Sequence, residues 1–132
     1  MKKTFCLLAL CMSFSAVAGV NNSTILQKSL KPWQPLAISE KNNIVTVNLD
    51  AGEITNEVYL AVTRLGVCVP AWDKKNASYL KDTKEVRILN KHNFTGFVLE
   101  NPRSTCNEVG AAVGDEAVNS IILSNTHMNV NH

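Results

Sequence analysis

The sequence predicts a small α+β domain: a short antiparallel sheet, two helices packed on one of its faces, and one disulfide. Three observations carry this. Residues 44–49 alternate apolar and polar with β-branched side chains, as a half-buried strand does. Residues 50–65 hold an apolar stripe at helical spacing between a start and a stop signal, and a second helical pattern begins near Thr105. Between them lie two strand-like runs, 85–89 and 96–100, separated by a turn-like Asn90–Asn93.

The first 18 residues read as a cleaved signal peptide. Lys2 and Lys3 form a charged start, Phe5 to Met12 an apolar run, and Ala16-Val17-Ala18 a small-residue cleavage site, with the cut between Ala18 and Gly19. The apolar run is too short to span a bilayer. A lipoprotein cut before Cys11 would need a small residue at position 10, which is Leu10. No later stretch approaches the roughly 20 apolar residues of a membrane span, so the expectation is one exported, soluble domain of 114 residues.

Residues 19–43 are expected to form an extended N-terminal arm. Pro32 and Pro35 disfavour helix and central strand, and Trp33 between them is the natural anchor onto the core, or onto a partner. The α+β domain proper spans 44–124. After the strand at Ile44–Leu49, Asp50 with Glu53 resembles a capping box. Ile54, Val58, Ala61, Val62 and Leu65 form the buried stripe, Arg64 suits the last turn, and Gly66 ends the helix. Tyr79 and Leu80 are expected to pack inward from a polar stretch at 73–82. In the second helix Val109, Val113, Ala117 and Ile121 share a face, while Gly114 either allows close packing or splits the helix, with Asp115 and Glu116 restarting it. The Asn-rich residues 125–132 read as a polar C-terminal tail.

Cys6 and Cys11 leave with the leader. The remaining pair, Cys68 and Cys106, reads as a disulfide closing a loop of 39 residues, tying the end of the first helix to the start of the second. A redox pair or a metal site is the alternative, but there is no C-x-x-C and no Cys/His cluster.

Composition narrows the function. Without Lys2 and Lys3 the chain has 11 basic and 11 acidic side chains, interspersed, so it lacks the basic footprint of nucleic-acid binding. No Gly-rich phosphate loop, nucleophile elbow or H-E-x-x-H occurs. His92, His127 and His132 have no evident nucleophile or ligand partner, and Glu53/Glu57 and Asp115/Glu116 read as solvated helix surface. The sequons at Asn76 and Asn93 read as surface turns. Neither catalysis, a metal nor another cofactor is expected. A donor-strand pilin, which is all-β, fits poorly with two capped helices.

The leader, the small size, the two mature cysteines and the glycine at the mature start (Gly19) resemble dispersin-like coat proteins of enteric pathogens. That resemblance implies a secreted, virulence-associated coat factor and an acylation point at Gly19. The expectation is therefore a non-enzymatic envelope or surface protein, periplasmic or secreted, that binds another protein or a cell-surface component. Trp33, Trp72 and Tyr79 are the candidate contact residues. The alternative is a periplasmic inhibitor or immunity protein that blocks a toxin or lytic enzyme through the loop Asp73–Lys84.

Overall fold

Val45 and Val47 are buried while Thr46 and Asn48 lie on the other side, so the alternation read from the sequence builds a strand, β2, over Ile44–Asn48. The computed structural model describes residues 22–130; the leader and the cut at Ala18–Gly19 lie outside the described residues. β1 (Ala37–Lys41) precedes β2 and pairs with it antiparallel. Their turn holds Asn42 and Asn43 at φ of 54° and 66°. A tight hairpin needs that left-handed pair, and asparagine tolerates it better than most residues.

β3 (Glu85–Leu89) lies parallel to β2, with Val45 opposite Val86 and Val47 opposite Ile88. β4 (Gly96–Glu100) returns antiparallel to β3, as the predicted hairpin. β5 (Thr126–Asn129) closes the far edge antiparallel to β4, so the sheet runs β1-β2-β3-β4-β5. The sheet is mixed rather than purely antiparallel. Parallel neighbours need a crossover, and the helical segment between β2 and β3 provides it. The α+β class and the Cys68–Cys106 disulfide hold.

The crossover contains α2 (Asn56–Ala61), which continues through Val62–Cys68 in the wider winding of a π-helix. The helix starts later than the sequence suggested. Thr55 is its cap, accepting the Val58 N–H at 3.2 Å, and Asp50 is not. Gly66 does not end the helix but lies buried inside it, under Leu30 and Trp33, where any side chain would run into both. The stripe shifts accordingly. Tyr59, Val62, Thr63, Gly66 and Val67 face inward, while Val58 and Leu65 are exposed.

α3 (Pro102–Ala111) opens with proline, whose missing N–H costs nothing in a first turn. It stops before Gly114, which sits at φ +93°, and α4 (Asp115–Ser124) restarts with Asp115 and Glu116 in its first turn, where the helix dipole favours acids. The split-helix alternative is the one realised. Buried Val118 and Ile122 replace Val113 and Ala117 as its core contacts, and Val113 is 91% exposed.

Two regions correct the sequence reading. The arm is not extended: it forms α1 (Asn22–Ser29), a 3-10 turn at Lys31–Trp33 and then β1. Leu26 and Leu30 are buried and supply the apolar anchor. The tail is not a tail over 126–129, because its residues complete the sheet.

Every helix among the described residues contributes to one core on one side of the sheet. Leu26, Tyr59, Val67, Cys106, Val109 and Ile122 meet Val45, Val47, Val86, Ile88 and Leu99 there. The opposite face carries Ser39, Thr46, Arg87 and His127 in one cross-strand row, with buried Val98 between the last two.

Candidate functional site

The bridge between Cys68 and Cys106 joins the end of the π-helical segment to α3, with a Cα–Cα distance of 5.0 Å and both residues fully buried. It fixes the direction in which the chain leaves Cys68. The next residues, Val69–Trp72, form a 3-10 turn with proline in its first turn, and Asn76 Nδ2 donates to the Pro70 carbonyl at 3.1 Å. That turn lays the Trp72 ring on Gly110 of α3.

A Cβ at position 110 would stand 2.6 Å from the indole nitrogen, so only glycine admits the ring. The same nitrogen donates to the Cys106 carbonyl at 2.8 Å. Trp72 nevertheless remains 43% exposed. The indole is held by its nitrogen and packed on Gly110, and less than half of the residue is open to solvent.

Around it runs an open groove of about 890 Å³, whose lining includes Arg64, Leu65, Trp72, Gly110, Ala112 and Val118. Leu65 is 55% exposed on this groove, and Val113 follows Ala112 in the chain. Arg64 and Asp115 pair at 2.7 Å across the end of α4, largely in solvent, so the pair orients the rim more than it stabilises the fold. The groove thus combines exposed apolar surface, a pinned aromatic ring and a charged rim.

The other two candidate contact residues sit elsewhere. Trp33 packs half-buried against Leu30 and Gly66, as an anchor of α1. Tyr79 is fully buried, and its hydroxyl donates to the Val67 carbonyl at 2.6 Å. It cannot touch a partner. Its burial pushes the phenol well above its usual range.

The loop 73–84 has a defined shape. Arg103 Nη1 donates to the Ala77 and Tyr79 carbonyls at 2.7 and 2.6 Å. Asp73 accepts the Lys75 N–H at 3.0 Å, and the Lys84 N–H reaches Asn43 at 2.8 Å. Lys74, Lys75, Ser78 and Lys81 face outward from it.

Two polar clusters remain. The Tyr59 ring stacks on Phe97 with centroids 4.7 Å apart, and its hydroxyl meets Thr126 at 2.6 Å. Burial pushes this phenol up to about 12, against the opposing effect of its hydrogen bond to Thr126. Such a group holds its proton and serves as a structural link. On the open sheet face His127 Nδ1 lies 2.6 Å from Glu100, and Arg87 holds Glu85 at 2.9 Å. His92 lies exposed in the β3–β4 turn, away from that pair. Among the described residues, no three His, Cys, Asp or Glu side chains gather as metal ligands would. Nor is any helix among them long and apolar enough to cross a membrane.

Sequence reasoning pointed to Trp72 but not to the residues that place it. Gly110 was the available signal, since a glycine inside a helix asks for a reason. Arg103 and Asn22 carried no local pattern at all. Comparison with protein-family models, curated proteins and solved structures finds no match to this chain.

Proposed function

We propose that this protein works outside the cytoplasm as a disulfide-stapled binding protein, with the Trp72 groove as its contact surface and another protein or a cell-surface component as its partner. The observation that supports this is the exposed indole pinned between Gly110 and the Cys106 carbonyl. An aromatic anchor already fixed in place loses little conformational freedom on binding. The disulfide suits an oxidising compartment. A secreted coat factor, virulence-associated and acylated at Gly19, is the finer form of this reading.

Intact-mass analysis of the native protein from periplasm, outer membrane and medium tests the location. A chain starting at Gly19, found at the surface or in the medium with an added acyl mass, supports the coat role. A photo-crosslinker at Val113 tests the surface. One stoichiometric adduct, lost with Leu65→Asp, supports the groove; no adduct in cells that export the chain counts against it.

The inhibitor or immunity reading has its own support in the loop 73–84, which Arg103 braces against α3. It predicts that Lys74→Glu with Lys75→Glu abolishes inhibition of a lytic enzyme, while Val113→Asp leaves it intact.

A further inference from the structure

The two edges of the sheet are built differently. β1 follows Pro35, ends in Glu40 and Lys41, and has α1 packed beside it. Asn22, where the described chain begins, bonds Glu40 at that same edge at 2.8 Å. Charges, prolines and covering elements are the usual means of keeping an edge strand from pairing.

Among the described residues, β5 has none of these. Its sequence is Thr-His-Met-Asn, and its one titratable group, His127, is turned toward Glu100 of the neighbouring β4. Met128 is 66% exposed and Val130, just beyond the strand, 53%. Leu123 of α4 and Phe94 of the β3–β4 turn are also exposed.

The free backbone groups of β5 follow from its register. The Glu100 N–H donates to the Asn125 carbonyl at 2.7 Å, and Val98 opposes His127. Hydrogen-bonded pairs alternate along an antiparallel ladder, so His127 and Asn129 turn their peptide groups toward β4. Thr126 and Met128 turn theirs outward, and Val130 is the next residue in that alternation when the strand is extended by pairing.

We propose that β5 pairs antiparallel with β5 of a second copy of this chain, about a two-fold axis at Met128, joining the two sheets into one. Outward groups must meet outward groups, which leaves few registers. Centring on Met128 sets it against the partner's Met128, and sets Thr126 and Val130 against the partner's Val130 and Thr126. All three pairs then exchange N–H···O bonds in both directions. Centring on His127 would use only two such pairs and would bring two imidazoles face to face. In the Met128 register the exposed methionine is buried on the helix side, and on the open side His127 meets the partner's Asn129, so no like charges oppose. The same patch serves both copies, as a closed dimer requires.

Sedimentation of the chain from Gly19 onward tests this. The expected result is twice the monomer mass, falling with dilution. Met128→Lys should give a monomer with an unchanged circular dichroism spectrum, since that side chain is already exposed in one copy. Met128→Cys should crosslink to itself on mild oxidation, because a hydrogen-bonded antiparallel pair brings the Cα atoms to about 5.5 Å, within disulfide reach. His127→Cys should not. A wild-type monomer at every concentration, a dimer that survives Met128→Lys, or crosslinking through position 127 instead of 128 overturns the proposal. So does a monomer whose β5 pairs only with a different protein.

Discussion

The side-chain oxygen of Asn22 accepts the Leu80 N–H at 2.8 Å, and Leu80 itself is fully buried in the left-handed conformation at φ +59°. A bulky residue is seldom held there, and the surroundings must fix it. Asn22 does so while its amide nitrogen donates to Glu40 and to Thr83 at 2.8 and 3.0 Å. One side chain thus joins α1, β1 and the end of the 73–84 loop. Asn22→Ala leaves the Leu80 amide without its partner in a buried site, which costs about 1–3 kcal/mol. Chemical denaturation checks this. Glu40→Gln, at an exposed position, should change stability by much less.

The disulfide spans a sequence separation of 38. In the chain-entropy model, removing it costs about 4 kcal/mol. The double variant Cys68→Ser, Cys106→Ser should therefore melt about 10–20 °C lower, by the usual slope for a domain of this size. A melting point within a degree or two of wild type would mean that the bridge contributes nothing.

Both tyrosines are buried with raised phenol pKa values, Tyr59 up to about 12 by burial. A folded-state value above the ordinary 10.0 means that the native state keeps a proton the unfolded chain gives up. The stability linked to these groups is fully present below pH 10 and is lost as pH rises toward and through 12. Phenolate absorbance should accordingly appear together with loss of the circular dichroism signal. Two tyrosines ionising at ordinary pH with the fold intact would contradict this.

Gly110→Ala places a methyl group where the Trp72 indole lies. The helix gains about 1 kcal/mol from alanine, and losing the neutral bond to the Cys106 carbonyl costs about as much. Net stability should change little while the ring moves outward. In a Trp33→Phe background, where Trp72 is the remaining tryptophan, its emission should shift to the red and become easier to quench.

What the sequence revealed and what it hid follow a physical division. β2 and the β3–β4 hairpin were legible because both faces of each strand meet different surroundings and so impose alternation. β5 was not, since an edge strand needs only one neighbour and Thr-His-Met-Asn alternates weakly. α1 was hidden by Pro32, which in fact lies in the 3-10 turn that follows the helix. α2 was found but rotated, because Tyr59, Thr63 and Gly66 carry the buried face without looking apolar. At the candidate site, Trp72 stood out as a residue type. Its support from Gly110 depends on two segments far apart in the chain, and no local pattern records that.

The parallel pairing of β2 with β3 also bears on how the chain reaches its native state. A hairpin can close at once, but these two strands can align only after the whole segment between them, helix included, has been laid across the sheet. Non-local pairing of this kind is slow compared with helix or hairpin formation. Cys68 rides on that segment and Cys106 on the helix it docks against. Docking holds the two thiols side by side, so it favours this bond over open-chain encounters. The completed bond then prevents the crossover from lifting away again.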